Sequence, residues 1–135
     1  MTLEAPLAAR SVAVVGMRHA NRDRSNRQFE IMLCRPGDPV ELRPEPKNKH
    51  DENAIAVISE RGVQLGYLSA ERAPRIGQLI RQGREVQAVF QQATPFGAWL
   101  RVAFDGEVPE LPADRAVPPT EPEGGWFPDE VWDEE

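Results

Sequence analysis

Residues 42–57 read LRPEPKNKHDENAIAV, and residues 65–73 read LGYLSAERA. Pro44 and Pro46 exclude a helix or a regular strand ladder over residues 44–52, because proline has no backbone N–H to donate. The apolar segments 53–58 and 63–68 lie on either side of a short Gly-containing turn, which predicts a β-hairpin. The two prolines therefore hold a polar, basic loop next to a buried hairpin.

Strand periodicity continues outside this core segment. Short β-branched or alternating runs predict further strands at 10–18, 28–34, 40–43, 85–93 and 98–104. The turn at 36–39 would join 28–34 to 40–43 as a second hairpin. The polar segment 19–27 is predicted to be an exposed loop.

One helix is clear from the sequence. Ser69 is a candidate N-cap, and Gly83 is a candidate left-handed residue at the end, so the helix is predicted to run to about Gln82. Six or seven short strands and one clear helix together predict a small barrel or sandwich with a helix packed on it.

Charge is distributed unevenly along the 135 residues. Residues 1–104 carry 15 basic and 11 acidic residues, whereas residues 105–135 carry one basic and 11 acidic residues, for a total of −6. The second segment is also rich in proline, which is typical of chain that forms no packed core. We therefore divide the chain into an N-terminal extension (1–9), a barrel domain (10–104) and an acidic Pro-rich tail (105–135).

Several classes of protein are excluded by composition. No run approaches the roughly 20 apolar residues of a membrane span, and the N-terminus lacks the apolar core of a signal peptide. Cys34 is the only cysteine, which excludes a disulfide framework and a thiolate-rich zinc site. A reducing, cytoplasmic location is the expectation, and we expect no cofactor, no metal and no membrane partner.

Together with residues 14–18, VVGMR, the two stretches quoted first resemble the HIRAN domain. The family pattern is approximately L-x-R-x-P-x-N-x-[YH]-D-x-N-A-I-x-V followed by G-[YH]-[LI], and the resemblance covers about residues 10–104. HIRAN domains occur in DNA-repair helicase-like remodellers and as stand-alone bacterial proteins. The resemblance implies a mainly β fold: a small OB-like or SH3-like β-barrel of about six strands with one or two packed helices.

The resemblance also implies a function, because characterised members hold the 3′ end of single-stranded DNA. Their pocket uses a basic-aromatic pair after the first strand, an Asn-x-aromatic-Asp loop and an aromatic residue after the later glycine. The residues at these positions are Arg18, His19, Asn48, His50, Asp51 and Tyr67. Lys47 is added as a basic residue of the same loop, and Phe96 as a further ring that could stack on a base.

The chemistry of these residues agrees with that function. Imidazole and phenol faces can stack on unpaired bases, for about 1–3 kcal/mol per base. A carboxylate such as Asp51 would accept a hydrogen bond from a terminal hydroxyl and would repel an internal phosphodiester. Arg18, Lys47 and Lys49 would neutralise phosphates. Ala20 and Ala70 depart from the family pattern, since they remove one stacking face and one phosphate contact.

Structural roles are the alternative for the same residues. Asn48 and Asp51 can shape the loop by accepting hydrogen bonds from nearby backbone amides. Tyr67 can belong to the core with its hydroxyl at the rim, and His50 can be an exposed residue without a role. The arginines of the 19–27 loop are either solvated or bound to phosphates.

Two functions from different classes follow. The first is a non-catalytic module that binds single-stranded DNA, at its 3′ end, in DNA repair or replication. The second is a protein-interaction adaptor that uses the barrel surface or the tail. The tail itself has three interpretations: an inert end, a partner-binding motif, or a segment that contacts the chain's own basic groove, with Trp126, Phe127 and Trp132 as anchors in the last two. No motif supports hydrolase activity.

Overall fold

The computed structural model describes residues 8–111, and these residues form a mainly β fold. Six strands and two helices follow the chain in this order: β1 (Arg10–Val15), α1 (Arg27–Leu33), β2 (Pro39–Pro44), β3 (Ile55–Ile58), β4 (Gln64–Leu68), α2 (Ala73–Arg81), β5 (Val86–Thr94) and β6 (Gly97–Phe104). The predicted small barrel with packed helices is confirmed. The predicted tail anchors Trp126, Phe127 and Trp132 lie outside the described residues.

All strand pairs are antiparallel, and the sheet closes on itself in the order β1-β4-β3-β2-β5-β6. The predicted β3–β4 hairpin is confirmed, with Ala56 opposite Tyr67. The β5–β6 hairpin is the longest pairing, from Val86 opposite Phe104 to Thr94 opposite Gly97. Closure removes the exposed sheet edges that would otherwise invite pairing with another chain.

The barrel interior is filled by aliphatic side chains and by Phe90 and Phe104, from every strand except β2. Val40 and Leu42 of β2 pack against this core from half-buried positions. β3 is buried along its whole length, which explains its continuous apolar run. Ile76 and Leu79 of α2 complete the core, because they are buried against it from outside the sheet.

Two glycines let the neighbours of β1 approach it closely. Gly66 on β4 has a φ of +155°, and a Cβ built there would lie 2.2 Å from the carbonyl oxygen of Val15. Gly97 on β6 has a φ of +156°, and its Cβ would lie 2.1 Å from the carbonyl oxygen of Val14. No side chain fits at either position, so both glycines are needed to close the barrel around the end of β1.

The prediction of a strand at 28–34 is wrong, because residues 27–33 form helix α1. The side chain of Asn26 caps this helix and accepts a hydrogen bond from the Phe29 N–H at 2.8 Å. Consequently β2 does not pair with this segment; it pairs with β3 and β5. The apolar residues Phe29 and Leu33, whose alternation suggested a strand, are exposed on the outer face of the helix.

Two smaller expectations also change. The 19–27 segment is not wholly exposed, since Asn21 and Arg27 are buried. Ser69 does not cap α2 with its side chain. The helix begins at Ala73 with Arg72 as its N-cap residue, and the Ser69 carbonyl accepts the Arg72 and Ala73 N–H groups in the turn before it. Gly83 ends the helix region with a φ of +84°, as predicted.

Candidate nucleic-acid interface

A polar groove of about 1140 Å³ lies between three parts of the chain. They are the loop after β1 (residues 19–23), the Pro-held loop between β2 and β3 (residues 43–50), and Gln64 and Tyr67 of β4. Arg27 of α1 also lines it. The groove is therefore built largely from the loops that the sequence marked as polar and basic.

The Pro-held loop is fixed by its own side chains. The Asn48 Oδ1 accepts hydrogen bonds from the backbone N–H groups of His50 at 2.8 Å and Asp51 at 3.1 Å. The Asp51 Oδ1 accepts from the Asn53 N–H at 2.8 Å. Both side chains therefore shape the loop, as the structural alternative proposed. The loop backbone that carries Lys47 and His50 therefore has little conformational freedom left to lose on binding.

Glu45 connects the loop to the barrel wall. Its Oε1 accepts hydrogen bonds from the Asn48 Nδ2 and from the Tyr67 hydroxyl, both at 2.9 Å. Burial is the main cause that raises the pKa of the Tyr67 phenol, and the bond to Glu45 raises it further, whereas Gln64 lowers it. Tyr67 is thus a neutral donor that holds a carboxylate at the groove.

Arg27 forms a buried polar contact beneath the groove. Its Nε donates to the Asn21 Oδ1 at 2.7 Å, and its Nη1 donates to the Gly16 carbonyl at 2.7 Å. The guanidinium lies over the Tyr67 ring, 5.6 Å from its centre, which is cation–π geometry. Burial lowers the pKa of Arg27, whereas the nearby Tyr67 and Glu45 raise it. The arginine therefore joins the end of β1, α1 and the Tyr67 ring.

The structure brings together five of the eight residues predicted from the sequence. The groove is lined by His19, Lys47, Asn48, His50 and Tyr67. The other three do not line it. Arg18 is exposed in the turn after β1, Asp51 faces the loop backbone, and Phe96 is half-buried in the β5–β6 turn.

Sequence reasoning missed two residues as parts of the site. The sequence gives no indication that Glu45 belongs to the site, because a single acidic residue between two prolines is typical of a solvent-exposed charge. The sequence predicts Arg27 only as one of the arginines of an exposed loop. Its signal was Asn26, a helix-cap residue that places the next side chain at the first turn of a helix rather than in a loop.

Within residues 8–111, no group of three or more His, Cys, Asp or Glu side chains is placed to hold a metal ion. Among these residues no helix is both long and apolar enough to cross a bilayer. The groove lining consists largely of polar, basic and ring side chains, which can form hydrogen bonds, stack and carry charge.

A closed six-stranded antiparallel barrel with a basic, imidazole-rimmed groove defines a class of small binding domains. Within that class, the model of the HIRAN domain matches residues 9–108, so the chain belongs to the HIRAN-domain family. HIRAN domains are nucleic-acid-binding modules. The resemblance seen in the sequence is confirmed.

Solved structures share the fold. The crystal structure of the HIRAN domain of human HLTF matches with 23% identity and a TM-score of 0.58, covering 71% of this chain and 74% of that chain. A protein from Lactobacillus plantarum matches with 24% identity and a TM-score of 0.56, covering 71% of this chain and 97% of that chain. A search of the curated proteins returned no match.

Proposed function

We propose that this chain is a non-catalytic module that binds single-stranded DNA, at its 3′ end, in DNA repair or replication. The observation that carries the proposal is the composition of the groove. His19, His50 and Tyr67 lie along it together with Lys47 and Lys49, the two lysines of the chain. Single strands are held by this combination, in which cations follow the backbone and flat side chains stack on bases.

The proposed preference for single-stranded over double-stranded DNA follows from the side chains that line the groove. Unpaired bases expose their faces, and imidazole or phenol rings can stack on them; paired bases in a duplex are already stacked. Lys47 and Lys49 are exposed on the fixed loop, where they would neutralise phosphates. Arg18 and Phe96 stand outside the groove lining, and we propose that they contact nucleotides beyond it.

Preference for an end follows from the carboxylates next to these cations. Glu45 lines the groove, and Asp51 lies three residues beyond Asn48 in the same loop. An internal phosphodiester in contact with a carboxylate is repelled, whereas a terminal hydroxyl can donate a hydrogen bond to it. In a bacterial cell a module of this kind works in the cytoplasm, where DNA is repaired and replicated.

The test is fluorescence anisotropy with the full-length protein and a labelled single strand, in linear form and as a covalently closed circle of the same sequence. We expect salt-sensitive binding to the linear strand and weaker binding to the circle. Equal binding to both forms would exclude end recognition. No binding at low salt would exclude the DNA function altogether.

A second candidate, a protein-interaction adaptor, is favoured by the outer face of α1. Phe29, Met32 and Leu33 are 58%, 76% and 44% exposed. Large apolar side chains that are exposed together often mark a contact surface. Deletion of residues 112–135 separates a DNA module from an adaptor that uses the tail. Because the deleted segment holds eight acidic residues and one basic residue, a DNA module should bind DNA more tightly without it. An adaptor that uses the tail should lose its partner.

A further inference from the structure

The outer face of helix α1 carries a group of exposed apolar side chains, which we call the apolar face. Phe29, Met32 and Leu33 are 58%, 76% and 44% exposed, and their i, i+3 and i+4 spacing places them on one side of the helix. The other large apolar side chains exposed among the described residues are Val108 and Leu111, in the segment after β6. Adjoining apolar groups of this kind are typical of a surface that another segment covers.

Helix α1 lies at the end of the barrel where β6 begins. The Arg27 Nη1, at the start of the helix, donates to the carbonyl of Gly16, which directly follows β1. The end of β1 pairs with the start of β6, with Val14 opposite Ala98. Helix α1 is therefore at the opposite end of β6 from Phe104, the last residue of that strand.

After β6 the chain turns back toward α1. The Glu107 N–H donates to the Phe104 carbonyl at 3.1 Å, which closes a turn. The Glu110 carbonyl then accepts a hydrogen bond from the Arg101 Nε at 3.2 Å, so residue 110 lies beside a position well before the end of the strand. The described chain thus ends at Leu111 on its way back along β6, in the direction of α1.

The segment that follows is long enough to reach α1. Trp126 lies 15 positions after Leu111, and at about 3.3 Å per residue an extended chain of that length spans about 50 Å. The whole of β6, with eight residues, spans only about 26 Å. Residues 126–132, WFPDEVW, which we call the aromatic segment, can therefore reach the apolar face without any rearrangement of the barrel.

The side chains of the aromatic segment suit the apolar face. Trp126, Phe127 and Trp132 are large rings that gain free energy when they leave water, in proportion to the apolar area they bury. The groove offers them less, because its lining is largely polar. Among the described residues, the apolar face is the exposed surface on which three rings would find apolar partners.

Charge matches as well. Residues 126–135 carry five acidic residues and no basic one, whereas residues 18–35, which contain α1 and the loop before it, carry five arginines and two acidic residues. One of those acidic residues, Glu30, is buried and paired with Arg61. The exposed arginines of this part of the chain are Arg18, Arg22, Arg24 and Arg35. Opposite charges around an apolar contact favour its formation and its orientation.

From these observations we infer that the aromatic segment docks on the apolar face of α1 within the same chain. A linker of this length holds the segment near its site at an effective concentration of about 1 mM. A contact whose Kd would be about 0.1 mM between separate molecules is then formed about 90% of the time. The inference goes beyond the proposed function and does not depend on it, since Phe29, Met32 and Leu33 do not line the groove.

The test measures the oxidation of Met32 by dilute hydrogen peroxide in the full-length protein, with methionine sulfoxide quantified by mass spectrometry. The variant Trp126→Ala/Phe127→Ala/Trp132→Ala removes the three rings and keeps every charge. We expect Met32 to be oxidised about tenfold more slowly in the wild type than in this variant, because the rate follows the fraction of time for which the segment is undocked.

Two controls accompany this measurement. Val108→Ala is the matched variant, since Val108 is a 74% exposed apolar residue outside the aromatic segment, and it should keep the wild-type rate at Met32. Met17, which is partly buried against the core, is the internal control. Its oxidation rate should be the same in all of these proteins, so that a change at Met32 alone reports the covering of α1.

The double variant Phe29→Gln/Leu33→Gln approaches the same contact from the other side. Both side chains are exposed, so the barrel core stays intact. We expect Met32 in this variant to be oxidised as fast as in the triple variant. The combination of the two variants should show no further increase, because either change alone removes the same contact.

Several outcomes would overturn the inference. Equal oxidation of Met32 in the wild type and the triple variant would show that the segment does not cover α1. An increase at Met17 as large as that at Met32 would indicate a general loosening of the barrel instead of undocking. Protection of Met32 that grows with protein concentration would assign the apolar face to the segment of a second copy. Failure of the proposed function would appear separately, as absence of binding to single strands, and would leave these oxidation rates unchanged.

Discussion

The Tyr67 hydroxyl donates a hydrogen bond to the Glu45 Oε1 across 2.9 Å, and the two residues lie 22 positions apart in the chain. This bond ties strand β4 of the barrel wall to the loop between β2 and β3. It also places an aromatic ring and a carboxylate side by side in the groove. The barrel wall thereby helps to set the position of the loop.

Tyr67→Phe removes this bond and should lower the free energy of unfolding by about 1 kcal/mol, which is typical of one partly buried hydrogen bond. The pH dependence provides a sharper test. Because the folded state raises the pKa of Tyr67 above its ordinary value of 10.0, the stability it contributes is complete below pH 10. That stability is lost as pH rises through the higher folded-state pKa.

Urea unfolding at several alkaline pH values should therefore show a steeper loss of stability in the wild type than in Tyr67→Phe. Tyr67 is the only tyrosine, so the ultraviolet absorbance of tyrosinate follows its titration directly. A titration midpoint at or below 10.0 in the folded protein would contradict the burial of the phenol in the structure.

Arg27→Met should destabilise the fold by about 2–4 kcal/mol, because it leaves the Gly16 carbonyl and the Asn21 amide oxygen without their buried donor. Arg22→Met is the control. Arg22 lines the same groove but is exposed, so this variant should unfold at the same urea concentration as the wild type. Equal stability of Arg27→Met and Arg22→Met would show that the buried contacts of Arg27 contribute little.

Gly66→Ala should lower the free energy of unfolding by about 3 kcal/mol or more, since both the positive φ and the clash with the Val15 carbonyl add to its cost. Gly62 also has a positive φ, of +86°, but a Cβ there meets nothing within 4 Å. Gly62→Ala should therefore cost only about 1 kcal/mol. Similar midpoints for the two variants in thermal unfolding would show that β1 and β4 separate readily.

Cys34 should react slowly with an alkylating reagent, because burial and the nearby Glu30 raise the pKa of its thiol to about 11. Compared with a thiol of pKa 9.0, the thiolate population near pH 8 falls about a hundredfold. The measurement compares iodoacetamide labelling of the folded protein with labelling in urea. Equal rates in the two states would contradict the protected environment of Cys34.

The barrel could be predicted because its strands follow simple rules. The β3–β4 and β5–β6 hairpins combine apolar runs or alternation with turn residues, and the local pattern agrees with the tertiary structure. Helix α1 could not be predicted in the same way. Its inner face carries Arg27 and Glu30, whose charges are buried through specific partners, while Phe29 and Met32 face outward. A rule that assigns apolar residues to the buried face of a helix therefore assigns Phe29 and Met32 to the wrong face.

The candidate site was predicted at the level of the loop but not of the side chain. The spacing of Asn48, His50 and Asp51 indicated a polar loop between two strands, and the structure has that loop. Asp51 faces the loop because its carboxylate accepts a backbone N–H, from Asn53. Glu45 faces the groove because its carboxylate accepts a hydrogen bond from the Tyr67 hydroxyl. Such choices depend on contacts between distant segments, which no local pattern encodes.

The proposal that the loop lysines contact phosphates predicts a change in salt dependence. For single strands, each neutralised phosphate contributes about 0.7 to the slope of log affinity against log salt concentration. Lys47→Ala/Lys49→Ala should therefore lower the magnitude of that slope by about 1.4. The preference for the linear strand over the circle should stay unchanged in this variant, because the lysines are proposed to contact phosphates and not the strand end.

Arg75→Ala is the control for this experiment. Arg75 is an exposed cation on α2 that does not line the groove, and it donates to the Gln78 Oε1 at 3.1 Å. Its removal should leave the slope at the wild-type value. If the lysine pair and Arg75 alter the slope equally per charge, the salt dependence reports the total charge of the protein. A selective effect of the lysines would show that phosphates lie along the Pro-held loop.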